Sequence, residues 1–225
     1  MSGVVQHHPL IAREAWPIVI VVIALSVLTS VTLGRSPAVP VCFLVALLAY
    51  LFRDPPRDIP SLPLAVVSPV DGVVLRIEET RALWLRRDMI RVVVETGIAD
   101  VYSLRSPTEG KLLQQWWERL GDQHSGSPRQ HVYQVRTDEG DDVIFGVSAR
   151  VAFPKFRCHA RAGERVGQGQ RIGYFFFGAQ IDVYLPQSSM LNIAEGDRVR
   201  AGASTLGSFV HDEDPATKSR AALIS

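Results

Sequence analysis

Residues 162–169 read AGERVGQG and residues 195–202 read EGDRVRAG, so the pattern G-[DE]-x-V-x-x-G occurs twice. Glycine next to an acid marks a turn, and the valine that follows begins a short strand. A second pair of echoes lies upstream. SPVDGVV at 68–74 is matched by SPTEGKL at 106–112, in each case a turn feeding a strand. Repeats of this kind predict related hairpins within one domain.

Outward from these repeats, the chain beyond Pro63 is a series of short Val-, Ile- and Leu-rich runs separated by Gly, Pro, Asp and Ser, which predicts strands and turns. The best strand segments are 65–79, 89–96, 131–137, 142–153, 171–177 and 180–186. The stretch 111–120, with its LLQQWW centre, reads as helix or strand, because periodicity alone does not separate them. The fold class is mainly β. The G-[DE]-x-V-x-x-G turns resemble those of the barrel-sandwich hybrid folds of lipoyl and biotinyl domains. No carrier lysine sits in a tight hairpin here, so the architecture is expected without the carrier role.

Composition removes several function classes. The 225 residues carry 24 basic and 23 acidic side chains, a formal net charge of +1, which lacks the footprint of a nucleic-acid binder. Cys42 and Cys158 are the two cysteines; they give neither a disulfide framework nor a zinc-ligand spacing, and a reducing compartment fits best. His124, His131 and His159 are scattered and His7-His8 is terminal, so no metal is expected.

Hydrophobicity concentrates before residue 53. PIVIVVIALSVLTSVTL at 17–33 is uncharged and long enough to cross most of a bilayer core as a helix, and AVPVCFLVALLAYLF follows at 38–52 after the turn 34–37. With Trp16 and Tyr50 at headgroup level, residues 16–52 are expected to form a membrane-inserting apolar helical hairpin after a tail at 1–15. The second run is short, so a re-entrant or interfacial segment is the alternative. A cleaved leader is disfavoured by the weakly basic start, with Arg13 beside Glu14. Arg53 and Arg57 against Arg35 put the β domain, 53–210, on the cytoplasmic side of the membrane. The tail 211–225 has a disordered composition.

FRDPPRDIP at 52–60, followed by VVSPVDGVV at 66–74, resembles the FRDPxR…P…VSPxDGxV signature of phosphatidylserine decarboxylases. ADVYSLRSPTEGK at 99–111 is similar to the DVHVNRxPxxGK block of that family. GERVGQGQRIGYFFFGAQIDVYLP at 163–186 is similar to GExVxxGxRIGxxxFGSxVDVYLP. These blocks keep the family's order and cover most of residues 52–207. The resemblance implies phospholipid metabolism and a cofactor made from the chain itself. In the family a serine hydroxyl attacks the preceding glycine carbonyl, the ester eliminates, and the new terminus becomes a pyruvoyl ketone that serves as the electron sink for decarboxylation.

That serine position is Ala179 here, after Gly178, so no pyruvoyl group is expected. The family's histidine aligns with Tyr102, whose type has an unperturbed pKa of about 10 and is a poor base at neutral pH. The family's asparagine-glutamate-arginine block is missing around residues 126–130. Asp71 matches the aspartate that supports the histidine, or serves only as a turn residue. Gly207-Ser208 spells the dipeptide cleaved in other branches, in a context that matches the repeat instead of the catalytic segment. The expectation is a non-catalytic, lipid-binding or regulatory homologue, acting on membrane phospholipid as a homodimer or with an active paralogue. An active decarboxylase, or another lipid enzyme on the same scaffold, is the alternative.

Trp84 lies among Arg81, Arg86 and Arg87, and Trp116-Trp117 lie near Arg119. Such clusters suit a membrane interface, or are core aromatics beside solvated charges. Phe175 and Phe177 read as a buried strand or as the lining of an apolar lipid groove.

Overall fold

The structure, a computed structural model, describes residues 53–210 except 61, 63, 83, 120–128, 150–155, 176 and 177, with positions 20–25, 27, 31, 43, 44, 46, 47 and 50 before them. The first half of the domain contributes β1 (Ala65–Val67), β2 (Gly72–Ala82), β3 (Arg87–Glu95), β4 (Ser103–Arg105), β5 (Gly110–Arg119), β6 (Arg129–Arg136) and β7 (Asp142–Ala149). The second contributes β8 (Arg157–Cys158), β9 (Arg165–Val166), β10 (Arg171–Tyr174), β11 (Ala179–Pro186), β12 (Met190–Leu191), β13 (Arg198–Val199) and β14 (Thr205–Ser208). They form an antiparallel eight-stranded sheet in the order β13-β2-β3-β11-β7-β6-β5-β9 and two three-stranded sheets, β1-β14-β12 and β4-β10-β8.

The sequence echoes are the two halves of a pseudo-twofold arrangement. Ser68 N donates to Ser204 O (2.8 Å) and Gly202 N to Ser68 O (2.8 Å); in the other half Ser106 N donates to Gln170 O (2.8 Å) and Gly169 N to Ser106 O (2.9 Å). Val74 exchanges bonds with Asp197 and Gly196 as Leu112 does with Glu164 and Gly163. Across the axis, Val67 N reaches Pro107 O at 2.8 Å and Arg105 N reaches Pro69 O at 2.9 Å. Each G-[DE]-x-V-x-x-G segment therefore satisfies the backbone of one SP turn. Gly72 and Gly110 occupy equivalent positions, where a Cβ would lie 2.3 Å from Glu95 O and 2.2 Å from Arg136 O.

Ala179, Ile181, Val183 and Leu185 of β11 face the main core with Val92, Val94, Phe145 and Val147. The opposite face of the sheet packs Tyr184 against Met89, Ile144, Val132, Trp84 and Trp116. β11 lies between β3 and β7 and its sequence alternates, with Ala179, Ile181, Val183 and Leu185 toward the main core and Gln180, Asp182 and Tyr184 toward the opposite face. The ambiguous stretch after Gly110 is a strand. KLLQQWWER pairs antiparallel with β6, with a bulge between Leu112 and Gln114 that breaks the period-2 pattern, which is why alternation alone did not reveal it.

The expected hairpin at 16–52 is not supported, since no helix among the described residues is long and apolar enough to cross a membrane. The described positions of that run are helical, and Ile20, Val31 and Phe43 are exposed. The rest of the run and both expected tails, 1–15 and 211–225, lie outside the described residues.

The segment before β1 is fastened to the domain. Arg53 donates to Ala99 O (3.3 Å), Asp54 pairs with Arg105 (3.2 Å) and Arg171 (3.5 Å), and Arg57 pairs with Asp71 (2.6 Å). Pro55, Pro56 and Pro60 stiffen this strap.

Candidate processing site

Gly178 sits at the entry to β11 with φ +87°, and a Cβ there would lie 2.8 Å from Thr96 O. Both the left-handed backbone and the close approach require glycine. The next residue, Ala179, is fully buried, and its carbonyl accepts from Thr96 N at 2.9 Å. Its methyl group carries no oxygen. Thr96 Oγ1 is buried beside this peptide without a hydrogen-bond partner.

Tyr102 closes the other end of the same loop. Its hydroxyl donates to Ile98 O, its ring centroid lies 6.2 Å from that of Phe175, and its carbonyl accepts from Phe175 N at 3.1 Å. The loop 96–102 thus meets Phe175 through Tyr102 at one end and Ala179 through Thr96 at the other. Asp71 is used elsewhere: one carboxylate oxygen takes Arg57 and the other accepts from Ala201 N at 2.7 Å. Its role includes the turn expected from Asp-Gly, with the addition of tying the strap to the repeat.

The other sequence candidates are spread out. Phe175 is fully buried, and Phe177 lies outside the described residues. Trp84 stacks on Trp116 (centroids 6.4 Å) and meets Tyr184 edge-on (5.4 Å), both half-buried against the outer face of the sheet. Trp117 belongs to β5, and its side chain lies outside the described set. Gly207-Ser208 lies in β14, the middle strand between β1 and β12, where Ser208 pairs with both Ala65 and Met190. Its pseudo-twofold equivalent is Gly173-Tyr174, which pairs with Cys158 and Arg157 in the same manner. An in-register strand holds this carbonyl flat, in contrast to the turned backbone at Gly178.

Burial pushes the Cys158 thiol up, away from the reactive thiolate, and burial likewise raises the neighbouring Tyr133 hydroxyl. Among the described residues no group of three or more His, Cys, Asp or Glu could hold a metal ion.

One buried network was not legible in the sequence. Asp182 is fully buried on the outer face of the sheet and accepts from Gln130 Nε2 (2.7 Å), Arg91 (3.0 Å) and Gln180 Nε2 (3.2 Å). Burial works against the Arg91 guanidinium, but Asp182 and Glu78 outweigh it and hold the group above its ordinary value. Gly146 makes room for the Gln130 amide, since a Cβ there would lie 2.2 Å from Nε2. The available signal was a lone acid, Asp182, on a strand whose other face is wholly apolar.

The family model described as phosphatidylserine decarboxylase matches residues 44–207. The chain belongs to the phosphatidylserine decarboxylase family. The protein named phosphatidylserine decarboxylase proenzyme from Nitrosomonas europaea is 33% identical over 215 residues, covering 93% of this chain and 100% of that one. Those of Nitrosomonas eutropha (32%, the same coverage) and Aromatoleum aromaticum (33%, covering 88% of this chain and 95% of that one) carry the same name. No solved structure matches. Within this family the pyruvoyl group arises from a serine, and Ala179, at the matching position, does not fit that requirement. No chemical step through a pyruvoyl group follows for this chain.

Proposed function

We propose that this member of the phosphatidylserine decarboxylase family does not process itself to a pyruvoyl enzyme and serves phospholipid metabolism as a lipid-binding or regulatory homologue. It works at the cytoplasmic face of the membrane, with a second copy or an active paralogue as partner. The observation that carries this reading is Ala179. Attack on the Gly178 carbonyl needs an oxygen one residue on, and a buried methyl supplies none. Tyr102 supports it, because a phenol committed to the Ile98 carbonyl is a poor substitute for an imidazole base.

A second reading, an active decarboxylase using another residue, is favoured by the retained left-handed glycine at 178 and by relatives named proenzymes along the whole chain. Intact mass after purification separates the two. The first reading expects one uncut chain of 24.8 kDa that forms no phosphatidylethanolamine from phosphatidylserine. Fragments split after Gly178 or Gly207, with a blocked new amino terminus, would overturn it. Restoring both groups, Ala179→Ser with Tyr102→His, is expected to yield two fragments, while each single substitution leaves the chain whole.

A further inference from the structure

We propose that the loop 97–100, together with Tyr50, Arg53 and Arg198, is a docking rim for an anionic lipid bilayer, and that it turns the Gly178–Ala179 end of the domain toward the membrane. The inference rests on the membrane location in the reading above and is independent of whether the chain is processed.

The loop is built to hold one apolar side chain outward. Asp100 staples it from within, accepting from Gly97 N at 2.8 Å, and Arg198 fixes the other Asp100 oxygen at 2.7 Å. The Tyr102 hydroxyl holds the Ile98 carbonyl. With its backbone fixed in this way, Ile98 remains 66% exposed. A single exposed isoleucine is ordinary. This one, however, continues an apolar surface.

Arg53 provides the continuity. Its guanidinium donates to Tyr50 O at 2.9 Å and to Ala99 O at 3.3 Å, and it lies 4.1 Å from the Tyr50 ring centroid. Tyr50 is the last described residue of the apolar run. Phe43, Leu47 and Tyr50 are helical and follow at i, i+4 and i+7, so they share one face, and all three are exposed, at 72%, 41% and 54%. An apolar stripe leading to Ile98 and bordered by two arginines has the chemistry of the headgroup boundary of an anionic bilayer. The same stripe is where the apolar part of the chain meets the domain, which favours a lipid surface over a second copy.

Of the two readings of the tryptophans, this proposal sides with core aromatics beside solvated charges. Trp84 and Leu85 sit in the turn between β2 and β3, while Ile98 lies beyond the far end of β3, a separation of about 30 Å along the strand. Trp84, Trp116 and Tyr184 are packed on one another, so their apolar surface already has a partner within the domain.

The test uses the full chain with Cys42→Ser and Cys158→Ala, labelled with an environment-sensitive fluorophore at Ile98→Cys, Arg198→Cys or, at the opposite end, Arg86→Cys, each folded chain verified by circular dichroism. The chains are reconstituted in phosphatidylcholine vesicles containing phosphatidylglycerol and lipids with quenchers on the acyl chains. Labels at 98 and 198 are expected to be quenched several-fold more strongly than the label at 86. Equal quenching, or stronger quenching at 86, overturns the proposal. So does a label at 98 that is shielded without lipid and crosslinks to a second chain. Because the readout is depth and not processing, it is unaffected by the intact-mass result.

Discussion

Replacing Asp54 by alanine probes the strap that joins the apolar run to the β domain. Asp54 and Arg105 are 1% and 2% exposed, their N···O distance is 3.2 Å, and Arg171 stands 3.5 Å from the second carboxylate oxygen. Burial pulls the Arg105 guanidinium below its ordinary value, and the Asp54 carboxylate opposes that pull. Removing the carboxylate leaves two cations out of water, with Arg105 retaining the Gly169 carbonyl at 3.0 Å. Breaking a buried pair from one side costs about 3–5 kcal/mol. For a domain of this size each kcal/mol lowers Tm by about 2–4 °C, so the loss comes to roughly 6–20 °C. Thermal unfolding of the full chain in detergent, followed by circular dichroism, measures it. Trypsin should also begin to cut after Arg57, whose own pair with Asp71 depends on the strap lying flat. A fall in Tm of less than about 2 °C would refute the reasoning, because it would mean that the two arginines reach water once Asp54 is gone. The exposed Arg165, paired with Glu109 and Asp138, is the internal comparison; its replacement by alanine should leave Tm unchanged.

Gly146→Ala should displace the Gln130 amide from Asp182 and destabilise the domain by about 1–3 kcal/mol, with much of the effect absent in a Gln130→Ala background; denaturant titration of the two singles and the double reads the coupling. His131 is held below its ordinary pKa by burial, its ring against Phe156. The unfolded chain therefore binds a proton more readily than the folded one. The stability that this difference contributes is complete above the unfolded value of about 6.5 and is lost as pH falls toward the depressed folded value, and a His131→Phe chain should show a weaker fall in Tm over that window.

The strands around the repeats were legible because local pattern and tertiary role agree there. β2, β3, β6, β7 and β11 match the apolar runs, and the repeated turns satisfy equivalent backbone groups in the two halves. β5 was ambiguous because a bulge between Leu112 and Gln114 disrupts its alternation. The Asp182 network was hidden for a related reason: an acid, a glutamine and an arginine from separate strands acquire meaning only when the strands are adjacent.

The sequence by itself determined the family, the β class, the internal duplication and the absence of a hydroxyl at residue 179, since each is written in residue identity and spacing. It also showed that Tyr102 stands where the family has its base. Tertiary structure decided that Asp71 ties the strap to a repeat turn, and that Gly207-Ser208 is a flat, doubly paired strand while Gly178 is a left-handed turn. It separated Trp84 from the end of the sheet where Arg53 meets Ala99. Identity sets which chemistry a residue can perform, whereas hydrogen bonds and exposure between distant segments decide which chemistry is left available to it.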